Sequence, residues 1–170
     1  MEGIRITKRE LDNYLAGVKI DPYFKVLLKY LRSRKIKMII LSDNFGYILG
    51  RILKNNHINN QVVYANSMRI DNNRLRTAFP YTNKRCGDCG HCKQTTLLAN
   101  ADKDSLSIYI GDGQSDICAS QQADMVFAKD SLKKYFRKER KPFVPFDSLK
   151  DVYKYLEEKE DERKTKGAGV

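Results

Sequence analysis

At 170 residues the chain is the size of one domain with a core of its own. Its apolar share of 41% suits a globular protein; no apolar run is long enough to span a bilayer and no signal-peptide core opens the chain, so a cytoplasmic protein with no membrane partner is expected. The net charge of +11 admits nucleic acid, anionic lipid or a phosphorylated substrate, but the basic residues are scattered over positions 5–9, 29–37, 69–93 and 133–141 without arginine–aromatic interleaving, which speaks against a dedicated nucleic-acid face.

Thr7 followed by Glu10 has the spacing of a capping box, so a helix is expected over 8–17, closed by Gly17. Asp21-Pro22 starts a second helix, with Phe24, Leu27, Leu28 and Leu31 on its apolar face. Residues 37–42 read as a buried strand ending in Ser42, then Asp43-Asn44, then a helix over 45–55. A third segment, 62–65, reads as a strand, and 68–77 as a hairpin around Asp71-Asn72-Asn73. A cysteine-rich run, Cys86-Gly-Asp-Cys-Gly-His-Cys92, leads into Lys93 and a helix over 94–100. Residues 106–110 form the next expected strand, which enters Gly111-Asp-Gly-Gln-Ser-Asp116. A helix over 117–122, with Cys118 as a small core residue, a strand over 125–128 and a helix over 132–136 follow. After Pro142 and Pro145 comes a last helix to about 160, then a charged tail expected to be frayed. Alternating strands and helices imply an α/β fold with a parallel sheet.

Three places carry chemistry. Asp112 and Asp116 flank a glycine turn at a strand's carboxyl end, where two carboxylates suit Mg²⁺, which binds through one or two carboxylates, waters and phosphate oxygens. The other reading of the turn is a βα connection with either aspartate as helix cap. Ser42, with Asp43 and Asn44, stands where a strand end meets a helix N-terminus, an anion site or simply a cap. Cys86, Cys89 and Cys92, with His91 between, offer ligands for zinc, or else a metal-free loop presenting Lys93. Hydroxyl, ammonium and metal-bound carboxylates together are what holding a phosphoryl group in transfer requires.

On these residues the chain resembles the haloacid-dehalogenase-like (HAD) phosphatases. Ile39-Ile-Leu-Ser42 is similar to their second motif, Lys93 to the third and Gly111-Asp-Gly-Gln-Ser-Asp116 to the fourth. The cysteine run before Lys93 and Ala123-Asp-Met-Val-Phe-Ala-Lys-Asp130 resemble the branch of phosphoserine phosphatase and the methionine-salvage phosphatases. The resemblance implies a Rossmann-like core and a Mg²⁺-dependent phosphatase acting on a small phosphorylated metabolite. Ser42, with Asp43 and Asn44 beside it, would hold the substrate phosphate. Lys93 would neutralise its charge, Asp112 would ligate Mg²⁺, and Asp116 would orient a metal-bound water or bind the ion. Ser115 and Asp43-Asn44 depart from the family pattern and leave the substrate open.

The family's nucleophile, an Asp-x-Asp pair at the end of an N-terminal strand, has no counterpart here. Asp12 and Asp21 are in helical contexts, and Asp102-Lys-Asp104 precedes its strand, at the wrong end of the sheet. The resemblance therefore implies a cap remnant over 1–20, a core over 21–156 and a flexible tail over 157–170. It also implies that the nucleophile strand lies outside this chain and that the chain alone is inactive. Two other readings remain: a basic zinc-knuckle module binding nucleic acid, and a non-catalytic binder of a phosphorylated ligand.

Overall fold

The computed structural model describes residues 5–83, 89–102 and 104–167. The chain opens with α1 (Lys8–Ala16), whose Thr7–Glu10 capping box forms as expected. It continues through α2 (Tyr23–Ser33), β1 (Ile39–Phe45), α3 (Gly46–Asn55), β2 (Val62–Asp71) and β3 (Arg74–Ala78). Then come α4 (Lys93–Asn100), β4 (Ile108–Gly111), a 3₁₀ turn over Gln114–Asp116, α5 (Ile117–Ser120), β5 (Met125–Ala128), α6 (Asp130–Lys138), β6 (Val144–Pro145) and α7 (Leu149–Gly167).

The expected parallel pairing is present between β1 and β2 and through β4, β5 and β6. The strands nevertheless form two three-stranded sheets, ordered β1-β2-β3 and β4-β5-β6, rather than one. In β4 Tyr109 is buried whereas Ile108 and Ile110 are 40% and 37% exposed, as suits a strand with one unpaired edge. The segments expected separately at 62–65 and 68–70 are one strand, because β2 runs past the end of β1 and pairs antiparallel with β3 over that extension. Asn72 and Asn73 both take positive φ, 47° and 59°, which a two-residue turn matched to strand twist demands.

Shared helices join the two sheets. Leu27, Tyr30 and Leu31 of α2 pack with Phe127 of β5 and Val152 of α7, and Met38, just before β1, lies against the same cluster. Val126 and Ala128, on the other face of β5, pack with Leu132 and Phe136 of α6. Leu97 of α4 and Ala119 of α5 meet Tyr109 of β4, with Leu41 of β1 packed alongside. Such alternation puts both faces of β5 in the dry interior, worth about 1.5–3 kcal/mol for each large side chain fully buried. α1 lies on α3: Asp12 pairs with Arg51 and accepts the Tyr47 hydroxyl, and the Asn55 and Asn56 amides donate to the Leu15 and Val18 carbonyls.

Two expectations are corrected. The tail does not fray at 157–160: α7 remains helical to Gly167, held by Lys159–Glu162 and Lys164–Glu160 pairs and by Glu160, which accepts from Arg34 and the Tyr30 hydroxyl on α2. Cys118 is exposed, because α5 is a single turn whose inward positions are taken by Ala119 and Ser120.

Candidate active site

The strand β4 ends at Gly111, and the chain folds back so that Asp116 comes beneath its own turn. Both carboxylate oxygens of Asp116 are fully engaged. Oδ1 accepts from the Lys93 ammonium at 2.7 Å and the Tyr109 hydroxyl at 2.8 Å. Oδ2 accepts the backbone N–H groups of Asp112 at 3.0 Å and Gly113 at 2.9 Å. Gly111 is required by this approach: a Cβ there would lie 2.8 Å from Asp116 Oδ2 and 2.9 Å from the Tyr109 ring.

Lys93, the first residue of α4, is only 8% exposed. Besides Asp116, its Nζ donates to the Ser115 hydroxyl at 2.9 Å and lies 3.3 Å from Asp43 Oδ2. A buried ammonium needs such partners, since an unpaired charge in that environment would neutralise itself. Lys93 thus ties the end of β1 to the turn after β4, and so bridges the two sheets. Burial works against the charge on Asp116, but Lys93, the Gly113 N–H and Tyr109 outweigh it and hold the carboxyl below its ordinary range. Burial and the neighbouring Asp116 push the Tyr109 phenol strongly upward, so it remains a hydrogen-bond donor.

Ser42 is the last regularly paired residue of β1, opposite Ala65, and the register slips over Asp43-Asn44 before Phe45. The Ser42 hydroxyl accepts the Asn44 N–H at 3.1 Å, and the Asn44 side-chain oxygen accepts the Phe45 N–H at 2.7 Å; these are local bonds ahead of α3, whose N-cap, Phe45, has no side-chain cap. Asp43 faces Lys93 with Oδ2, while its Oδ1 is buried with no hydrogen-bond partner among the described residues. His91, fully buried, braces the segment: Nδ1 is 3.1 Å from the Ser42 carbonyl and Nε2 is 2.9 Å from the Thr96 hydroxyl. A carbonyl can only accept, so Nδ1 carries the proton; the Thr96 hydroxyl beside Nε2 also faces the Cys92 carbonyl at 3.3 Å. Burial pulls the His91 pKa below its usual value, assisted by Lys93 and opposed by the Ser42 carbonyl and Asp43.

Asp112 differs from its neighbours. Its carbonyl accepts from the Ser131 hydroxyl and the Leu132 N–H at the start of α6, which fixes the backbone, while the side chain is exposed at the carboxyl end of β4. Three carboxylates (Asp43, Asp112, Asp116) against one ammonium leave two negative charges unbalanced at one rim. A phosphate dianion would be repelled there unless a divalent cation came with it. The orphaned Asp43 oxygen and the open Asp112 carboxylate are hard oxygen donors of the kind Mg²⁺ takes, and one or two suffice. Asp116, with four donors on two oxygens, is placed to orient the turn.

Of the residues expected from sequence, the structure brings Lys93, Asp43 and Asp116 into contact, while His91 braces Ser42 through its backbone carbonyl and links it to Thr96 of α4. For zinc, Cys86 lies outside the described residues, Cys89 is half-buried, and the buried Cys92 thiol is 3.1 Å from the Thr95 hydroxyl. No three potential ligands cluster among the described residues, and both His91 nitrogens are engaged. Tyr109 and Thr96 were not singled out from sequence. The alternation of β4 pointed Leu106, Ile108 and Ile110 inward instead, and the structure reverses it: those three are exposed and Tyr109 is buried against Asp116.

The family model Put_Phosphatase (Putative Phosphatase) matches residues 1–141. The chain is 27% identical over 140 residues to the 2-hydroxy-3-keto-5-methylthiopentenyl-1-phosphate phosphatase of Exiguobacterium sibiricum, covering 81% of this chain and 64% of that relative. Two solved structures share the fold: a phosphoserine phosphatase from T. onnurineus (TM-score 0.63, 17% identity, 90% of this chain and 67% of that one) and a phospho-aspartyl intermediate analogue of phosphoserine phosphatase (TM-score 0.67, 16% identity, 89% and 71%). The chain therefore spans somewhat under two thirds of the length of the curated relative it matches. With the family model matching most of its length, the chain belongs to the Put_Phosphatase family of HAD-like phosphatases.

Proposed function

We propose that this chain supplies the phosphate- and Mg²⁺-binding half of a phosphomonoester hydrolase for a small phosphorylated metabolite. The carrying observation is the position of Lys93 Nζ, within 3.3 Å of Asp43 and 2.7 Å of Asp116 at the carboxyl end of two strands. The substrate named for the relatives, a methylthiopentenyl phosphate, is the first to test.

Each residue has a definable task. Asp116 holds the Lys93 ammonium at the rim, where that charge offsets the phosphoryl oxygens. Tyr109 and Ser115 fix the geometry of this pair. Asp112, and Asp43 through its free oxygen, would hold Mg²⁺, which when bound supplies positive charge to the phosphoryl oxygens. The Ser42 hydroxyl, which accepts from Asn44 and keeps its own proton to give, would orient the ester.

The phosphoryl acceptor is the part not found among the described residues. A relative in fold is described with a phospho-aspartyl intermediate, which requires an aspartate at this rim. Asp43 is committed to Lys93 and Asp116 to four donors, and Asp102 and Asp104 precede β4 at its amino end. The unpaired neighbouring edges of β1 and β4 support the reading that the acceptor belongs on a strand between them, and that this chain alone does not turn over.

Calorimetry and turnover assays with Mg²⁺ and the methylthiopentenyl phosphate separate the two halves of the reading. Expected are Mg²⁺-dependent binding, lost in Lys93→Met, and no hydrolysis. Mg²⁺-dependent turnover at ordinary enzyme rates would overturn the incomplete-site reading, and failure to bind phosphate esters with Mg²⁺ would overturn the phosphate-site reading.

A further inference from the structure

The basic residues that look scattered along the sequence are partly regrouped by the fold. Arg69 pairs directly with Arg76 across β2 and β3, and Asp71 with Arg74. Arg5 forms an isolated bridge to Arg74 on the other side of β3. Directly paired residues share a face, and so do residues two apart on a strand. Arg5, Arg69, Arg74 and Arg76 therefore stand on one face of the hairpin, in rows about 4.8 Å apart across the strands and about 6.6 Å apart along them.

All four are exposed, and none forms an ion pair with an acid among the described residues. Asp71 is the single acid in that lattice. Placing arginines directly opposite one another costs stability, about 0.2–1 kcal/mol for a pair, in a chain free to put acids there.

We propose that this hairpin face is a docking surface for the phosphodiester backbone of duplex nucleic acid. Guanidinium groups bind phosphate oxygens through paired N–H groups, and a two-stranded ribbon matches the width of a duplex groove. The remaining side chains on the face, Ser67 and Ala78, include no aromatic on which unpaired bases could stack and no large apolar group to enter a lipid surface. Contacts of this kind are independent of base sequence. None of these arginines pairs with Lys93, Asp43 or Asp116, so the proposal does not rest on the phosphatase reading.

The test is the salt dependence of binding to a short mixed-sequence DNA duplex, measured by anisotropy. Four neutralised phosphates predict a slope of log K against log salt of about −3.6, or a roughly 150-fold loss of affinity between about 50 and 200 mM salt. Arg69→Gln with Arg76→Gln is expected to halve the slope, and Arg74→Gln alone to reduce it by about 1. The same loss of charge at Arg137 and Lys138, exposed on α6, is expected to leave it unchanged. Removing like charges from the hairpin is expected not to lower the melting temperature, which guards against misfolding as the cause. The proposal is overturned by no binding at the lower salt, by a slope indifferent to Arg69 and Arg76, by tighter binding to phosphatidylserine vesicles than to the duplex, or by equal binding to polyglutamate.

Discussion

Lys93 and Asp116 form a buried pair in which each accounts for the other's charge. Replacing Lys93 with Met is expected to cost ~3–5 kcal/mol by stranding the carboxylate, with part of the loss recovered when Asp116 is also changed to Asn; urea denaturation of the two variants checks this. Gly111→Ala acts through space instead. The new methyl would stand 2.8 Å from Asp116 Oδ2, against a carboxylate that its four donors hold in place, so a loss of ~2 kcal/mol is expected, together with weaker binding of phosphate esters. His91 sets a pH dependence. Its folded pKa is depressed below the ordinary 6.5, so the unfolded chain binds a proton that the native ring refuses. Stability is therefore complete above about pH 6.5 and falls as the solution is acidified; His91→Gln is expected to flatten the urea midpoint measured from about pH 7 down to pH 5.

Local chemistry fixed the elements unevenly. The α1 capping box, the Asn72-Asn73 turn and strand β5 followed from residue type and spacing, because a cap needs its hydroxyl and carboxylate three apart and a tight hairpin needs two residues that tolerate positive φ. Val at both turn positions is expected to cost the hairpin ~2 kcal/mol, seen as lost hydrogen-exchange protection in β2 and β3 beyond Asn66. The end of α7 was not legible, since a charged segment reads as solvated until its partners are known. Glu160 has them in Arg34, Lys164 and Tyr30, which hold its carboxyl down at about 2. Its contribution is present above the ordinary 4.5 and is lost as pH falls through about 2.

At the scale of the fold, two sheets share their covering helices while two inner strand edges stay unpaired among the described residues. Alternate amides of β4 are expected to exchange far faster than those of β5, which is paired on both sides; hydrogen exchange read by NMR checks this. The sequence by itself determined the α/β class, the strand-end positions of Ser42 and Asp112 and the place of Lys93 at a helix start, because strand and helix periodicity and glycine turns are local properties. Tertiary structure alone decided that Asp43 rather than Ser42 meets Lys93, that Tyr109 and His91 brace the site, and that Arg5 joins the arginines of positions 69–76. These contacts join residues far apart in the chain, and no local spacing encodes which distant side chain will fill a buried partner's last hydrogen bond.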